Sequence, residues 1–143
     1  MFQPTRDEVR RFFFDAWRRH RAGEPLQPLE RLAVAVALEH PEYHAVLDDP
    51  ERHAGRDYFP ELGETNPFLH LSMHLAIEEQ LAIDQPPGVR RRFEALAAAR
   101  GSRHDALHDA LECLGEMLWK AGRDSTPPDA ALYLACLDRR AAE

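Results

Sequence analysis

Apolar and polar positions along the chain repeat with the period of an α-helix. The first predicted helix begins at a capping pair, Thr5 with Glu8, and ends before Gly23. Its apolar positions share one face: Val9, Phe12, Phe13, Ala16 and Trp17. No stretch of alternating polarity is long enough to predict a β-strand. The pattern therefore predicts an all-α fold.

Capping residues, glycines and prolines divide the rest of the chain into further helices. These are predicted over residues 29–39, 41–46, 67–84, 89–99, 102–121 and 126–139. Residues 48–67 read DDPERHAGRDYFPELGETNP, which is dense in turn formers and predicts one long surface loop. A chain of 143 residues with 44% hydrophobic residues can close a single core. We therefore expect a single-domain helical bundle of six or seven helices over residues 1–143.

Composition narrows the range of partners. The formal charge of −7 and a pI of about 5.6 argue against a broad nucleic-acid surface. The sequence has no apolar signal core and no run of membrane-spanning length, so no membrane partner is expected. Two cysteines, Cys113 and Cys136, are too few for a disulfide framework, and Cys113 is predicted to pack as a small hydrophobe. The expected compartment is a reducing cytoplasm.

Six of the eight histidines fall in pairs with four-residue spacing, where random placement would give roughly 0.4 such pairs. The pairs are His40/His44, His70/His74 and His104/His108. Glu78 and Glu112 follow the last two pairs after four more residues. On a helix this spacing places side chains on one face, so each pair could hold a cation from successive turns. The spacing therefore predicts a metal site.

The position of these polar side chains relative to the apolar faces differs between helices. His70, His74 and Glu78 interrupt the apolar face of their helix, which favours a buried role. Glu112 lies toward the polar side of its helix. His40 precedes Pro41, and a residue before proline is driven away from helical dihedral angles. The first pair therefore need not stack as a pair on one helix.

Neutral imidazoles and carboxylates suit iron, zinc, manganese, nickel or copper, and the absence of a CxxC pair argues against a thiolate zinc finger. His70 and Glu78 are separated by about 12 Å along a helix axis, which is too far for one ion. Two adjacent ions bridged by Glu78 and Glu112 would resolve this. We therefore expect one or two transition-metal ions between the helices over residues 67–84 and 102–121. The candidate ligands are His40, His44, His70, His74, Glu78, His104, His108 and Glu112.

Four segments resemble a known family. They are HPEYH at 40–44, NPFLHLSMHLAIEEQLAIDQPPG at 66–88, HDALHDALECLGEMLW at 104–119 and TPPDAALYLACL at 126–137. These segments resemble domain of unknown function 1841, a bacterial family of short uncharacterised helical proteins. The resemblance spans most of the chain and implies a helical fold, but it implies no known activity. The ligand chemistry is also similar to that of hemerythrin-like di-iron bundles, although the Glu-x-x-His and H-E-x-x-H motifs are missing.

Two classes of function remain open at this level. A metal protein could be an enzyme that activates water or dioxygen, or a metal sensor or carrier. The competing class is a non-catalytic interaction module, in which the histidines and Glu78 form a buried hydrogen-bond network and the loop around Tyr58 and Phe59 meets a partner protein. No nucleophile elbow, phosphate-binding glycine loop or dinucleotide fingerprint favours another chemistry.

Overall fold

A computed structural model describes residues 5–143 and contains eight α-helices and two short 3-10 turns, with no β-strand in that range. The helices are α1 (Arg6–Ala22), α2 (Pro28–Leu38), α3 (His44–Leu47), α4 (Pro50–His53), α5 (Pro67–Ile83), α6 (Val89–Arg100), α7 (Arg103–Asp124) and α8 (Ala130–Ala142). The prediction of an all-α fold is confirmed. Over the same residues, no helix has both the length and the apolar character that crossing a membrane requires.

Side-chain caps begin several helices where the sequence predicted them. The Thr5 hydroxyl accepts the Glu8 backbone N–H at 3.2 Å, and α1 ends at Gly23 in the left-handed conformation. The Asn66 side-chain oxygen accepts the first free N–H groups of α5. Ser102 caps α7 in the same way. These caps satisfy backbone donors that have no partner within their own helix.

The structure differs from the predicted elements at three places. The predicted loop over 48–67 contains α4 and a 3-10 turn at Pro60–Leu62, because a proline occupies the first position of each. Helix α7 continues through Gly122 to Asp124, and its C-terminal cap, Ser125, adopts the left-handed conformation (φ 52°). Helix α8 is capped by Asp129 rather than Thr126, since two prolines follow Thr126 and the residue before a proline avoids helical dihedral angles.

The chain forms two compact units. The N-terminal unit ends at Leu75 and the C-terminal unit begins at Ala76, so α5 contributes to both. The expectation of one domain over residues 1–143 stays a prediction. In the N-terminal unit, α1 packs on α2 and Phe14 meets Phe68 edge to face at 5.3 Å. Its buried core consists of Phe13, Phe14, Ala16, Trp17, Ala33, Val34, Val36, Ala37, Leu47, Phe68, Leu71 and Leu75.

In the C-terminal unit, α6, α7 and α8 pack on one another. The Tyr133 hydroxyl, which is buried, donates to the Gln80 side-chain oxygen at 2.8 Å, and burial raises the pKa of this phenol to about 12. Cys113 and Cys136 are joined by a disulfide between α7 and α8. Cys113 is buried in the core, as predicted, but its bond to Cys136 was not predicted from the sequence and arises because the packing of α7 on α8 brings the two Cα atoms to 5.7 Å.

Reduction of this disulfide should destabilise the purified protein. Closing a loop between residues 23 positions apart lowers the chain entropy of the unfolded state, which adds about 3 kcal/mol to the free energy of unfolding. Urea unfolding of the oxidised chain should therefore give a free energy of unfolding higher by about that amount than unfolding in dithiothreitol. The double variant Cys113→Ala/Cys136→Ala is the control and should not respond to the reductant. Equal stability of the wild type with and without reductant would contradict the prediction.

Candidate metal centre

Three histidines of the N-terminal unit come together from two parts of the chain. His70 and His74 lie on successive turns of α5, and His40 lies just after α2. His40 leaves the helical conformation, with φ −124° and ψ 68°, because Pro41 follows it. Its backbone N–H donates to the Ala37 carbonyl at 3.0 Å. This bend at the end of α2 places the His40 ring against the rings on α5.

The three rings are close enough to share one ion. Their centroids are separated by 4.5 Å for His40 and His74, 4.7 Å for His70 and His74, and 5.1 Å for His40 and His70. One nitrogen of each lies within 4.8 Å of the others. A tetrahedral ion with metal–nitrogen distances of 2.0–2.1 Å would hold its donors about 3.4 Å apart. The cluster is therefore slightly wider than an occupied site, and small ring movements would close it.

His40 has the tautomer and the free lone pair of a metal ligand. Its Nδ1 lies 2.7 Å from the Val36 carbonyl oxygen, which can only accept, so Nδ1 carries the proton. The lone pair is therefore on Nε2. That atom is buried, and it has no hydrogen-bond partner among residues 5–143. Metal-bound histidines commonly donate their other ring N–H to such a carbonyl, which fixes the tautomer and the orientation of the ring.

His70 and His74 face each other through their outer nitrogens. The two Nε2 atoms lie 3.2 Å apart, a distance that suits either an N–H···N hydrogen bond or two ligands of one ion. His74 is only 2% exposed, whereas His70 is half-buried. The cluster is therefore buried on the side of His40 and His74 and open to solvent at His70.

Tyr43 packs against the cluster without adding charge to it. Its ring stacks on His40 with centroids 5.8 Å apart and meets His70 at 5.9 Å. Burial, helped by the negative charge of Glu42, raises the pKa of the Tyr43 phenol above its usual value. The phenol therefore stays neutral at pH 7.

His44, the sequence partner of His40, points elsewhere. Its Nε2 donates to the Ala37 carbonyl at 2.8 Å, and its ring packs on Trp17 with centroids 4.6 Å apart. A 3-10 turn at Pro41–Tyr43 separates the two histidines, so the four-residue spacing does not stack them on one helix face. The four-residue spacing therefore brings His70 and His74 together but not His40 and His44.

Both candidate bridging carboxylates form ion pairs in the C-terminal unit. Arg103 Nη2 donates to the two oxygens of Glu78 at 2.8 and 3.0 Å. Arg140 Nη1 donates to Glu112 at 2.6 Å. An arginine thus already neutralises each carboxylate. The candidate metal-binding group found within the described residues consists of His40, His70 and His74 and includes neither glutamate.

The remaining pair, His104 and His108, lies on an exposed part of α7. Their ring centroids are 4.4 Å apart, as the four-residue spacing predicted. Neither is a member of the three-histidine cluster.

Two contacts of the histidines had no signal in the sequence. The Val36 carbonyl that orients His40 is a backbone group, and backbone groups do not depend on residue type. The packing of Trp17 on His44 depends on how α1 and α3 meet, which spacing along one helix cannot report.

A family comparison covers nearly all of this structure. The family described as Domain of unknown function (DUF1841) matches residues 5–139. This chain belongs to that family. No curated protein and no solved structure matches the chain. The match includes all eight candidate ligands of this DUF1841 chain, so they lie within the family's domain.

The two tautomers inferred above can be read by NMR in the protein treated with chelator. We expect His40 to carry its proton on Nδ1 and His44 to carry it on Nε2, since each of those atoms faces a backbone carbonyl. Long-range ¹⁵N–¹H correlation at neutral pH distinguishes the two forms. His44 serves as the internal control. A proton on Nε2 of His40 would show that this ring is not prepared as a ligand.

Proposed function

We propose that this protein binds a transition-metal ion through His40, His70 and His74. The observation that carries the proposal is the buried Nε2 of His40, which has no hydrogen-bond partner within residues 5–143, in a ring that offers one nitrogen within 4.8 Å of a nitrogen of His70 and of His74. A buried polar atom without a partner costs about 1–3 kcal/mol. A bound ion would accept this lone pair and remove that cost.

The donor set favours particular ions. Three neutral imidazoles suit zinc, iron, nickel or copper, whereas magnesium and calcium prefer oxygen ligands. Three protein ligands are also the number typical of catalytic zinc sites, which leave one position to water or substrate. Ligation occupies the imidazole lone pairs, so these histidines would act as ligands and not as general bases. An enzyme that activates water, and a metal sensor or carrier, both fit this donor set.

The proposal is for one ion and not for two. The three-histidine cluster contains no carboxylate that could bridge a second ion, and Glu78 and Glu112 are paired with arginines. A dinuclear site that includes these glutamates, His104 and His108 stays a prediction from sequence spacing. The stoichiometry of bound metal distinguishes the two.

The competing function is an interaction module whose histidines are structural. The contact between the Nε2 atoms of His70 and His74 supports this alternative, since a hydrogen bond between them needs no ion. His44 also finds its partner in a backbone carbonyl. The alternative leaves the buried Nε2 of His40 unexplained, which is why we favour the metal.

Elemental analysis of protein purified without a histidine tag and without added metal tests the proposal. We expect about one equivalent per chain of a single transition metal, and almost none in His74→Ala. The control is His104→Ala, which removes one imidazole from the exposed pair and should retain the wild-type content. Saturating metal should raise the melting temperature of the wild type and of His104→Ala, but not that of His74→Ala.

The other outcomes separate the alternatives. Equal loss of metal in His74→Ala and His104→Ala would favour the larger site predicted from the spacing. Metal-free protein whose melting temperature responds neither to chelator nor to added metal would overturn the proposal and favour the structural network.

We further propose that the protein resides in the cytoplasm. Two cysteines in 143 residues are few compared with the dense cysteine sets of small secreted domains. A reducing cytoplasm would keep Cys113 and Cys136 as thiols, and the disulfide would form on exposure to oxidant. Acid quenching of intact cells, followed by maleimide labelling of the denatured chain, should therefore add two labels. No label without prior reduction would place the protein in an oxidising compartment.

A further inference from the structure

A cleft in the N-terminal unit has the size of a small-molecule site. It lies between one face of α1 and the segment over residues 47–55, and its volume is about 670 Å³. Phe14, Trp17 and Leu47 reach its lining from the buried core, and Pro50 is an exposed apolar residue of the lining. His40, His70 and His74 do not line it, so it is separate from the proposed metal site.

Helical periodicity brings four guanidinium groups to this cleft, from Arg10, Arg11, Arg18 and Arg21. Three carboxylates also line it, from Asp7, Asp15 and Asp48. Asp48 already has two partners: it accepts a hydrogen bond from the Trp17 indole N–H at 2.7 Å and forms a salt bridge with Arg21 at 3.2 Å. Asp7 lies 3.8 Å from Arg6. Asp15 is thus the lining carboxylate that makes no ion pair within residues 5–143.

Two of the guanidinium groups lack a carboxylate partner. Arg10 is 2% exposed and donates through Nη1 to the carbonyls of Ala54 and Arg56, but it makes no ion pair with a described residue. Its Nε has no hydrogen-bond partner among the same residues. Burial lowers the pKa of this guanidinium, which reports the cost of holding the charge away from water. Arg11 is exposed and likewise forms no ion pair in the described part of the chain.

We propose that this cleft binds a small organic anion that joins a carboxylate to an apolar body. The apolar body would lie against Pro50 and the small part of Phe14 and Trp17 that reaches the lining, and the carboxylate would face Arg11 and compensate the excess of guanidinium over carboxylate. Carbonyl groups position Arg10 but do not neutralise it, and a ligand carboxylate nearby would offset part of its charge. A cation of similar shape would gain the apolar contacts but would be repelled by the arginines.

Tryptophan fluorescence gives a direct test in the full chain. Trp17 lines the cleft, and Trp119, the second of two tryptophans, is 61% exposed in the C-terminal unit. In a Trp119→Phe background, emission reports on Trp17 alone. Octanoate is the probe, added below the concentration at which it forms micelles. Octanol and octyltrimethylammonium share its chain length and serve as the neutral and cationic controls.

We expect octanoate to change Trp17 emission saturably, octanol to bind more weakly and the cation to bind weakest. Arg11→Gln should weaken octanoate binding by about three-fold or more, as expected for the loss of one partly exposed ion pair. The matched control is Arg91→Gln, which removes an exposed charge from α6 in the C-terminal unit. The same order is expected in chelator-treated protein, because the cleft does not use the three histidines.

Three results would overturn this inference. They are no saturable change of Trp17 emission with octanoate, equal binding of octanoate and octyltrimethylammonium, and an unchanged octanoate affinity in Arg11→Gln. Both Arg11 and Arg91 are exposed, so neither substitution is expected to prevent folding, and the two variants can be compared directly.

Discussion

The candidate metal centre depends on one backbone constraint, the proline at position 41. Proline disfavours the helical conformation of the residue before it, and His40 leaves the helical path just after α2 ends at Leu38. The ring can then donate Nδ1–H to the Val36 carbonyl, one turn back in α2. A helical His40 would continue the surface of α2. The bend instead places the His40 ring against α5, where His70 and His74 share a face.

This arrangement of His40 costs free energy unless its buried Nε2 binds a partner. A buried ring nitrogen needs a hydrogen-bond partner or an ion, and the Nε2 of His40 has no hydrogen-bond partner within residues 5–143. The Nε2 atoms of His70 and His74 can share a proton in one hydrogen bond, whereas the Nε2 of His40 has a lone pair and no donor among the described residues. A cation bound by all three rings would also accept the lone pair of His40 Nε2, which the contact between His70 and His74 does not involve.

The sequence predicted local features well and tertiary contacts poorly. The cap at Thr5 and the pairing of His70 with His74 depend on residues within one helix, and both are found in the structure. The grouping of His40 with these two, without His44, depends on the direction in which the chain leaves α2. The ion pairs of Glu78 and Glu112 depend on which arginines other helices present. Spacing along one helix contains no information on either point.

The proposed cleft and the proposed metal centre share one chain of contacts in the N-terminal unit. Trp17 lines the cleft and packs on His44, and His44 donates to the Ala37 carbonyl. That carbonyl also accepts the backbone N–H of His40. A ligand that contacted Trp17 would therefore touch one end of a chain of contacts whose other end is the backbone of His40. Contacts alone do not show that the two sites are coupled. Coupling requires that a bound ion change the affinity for the anion, and that a bound anion change the affinity for the ion by the same factor.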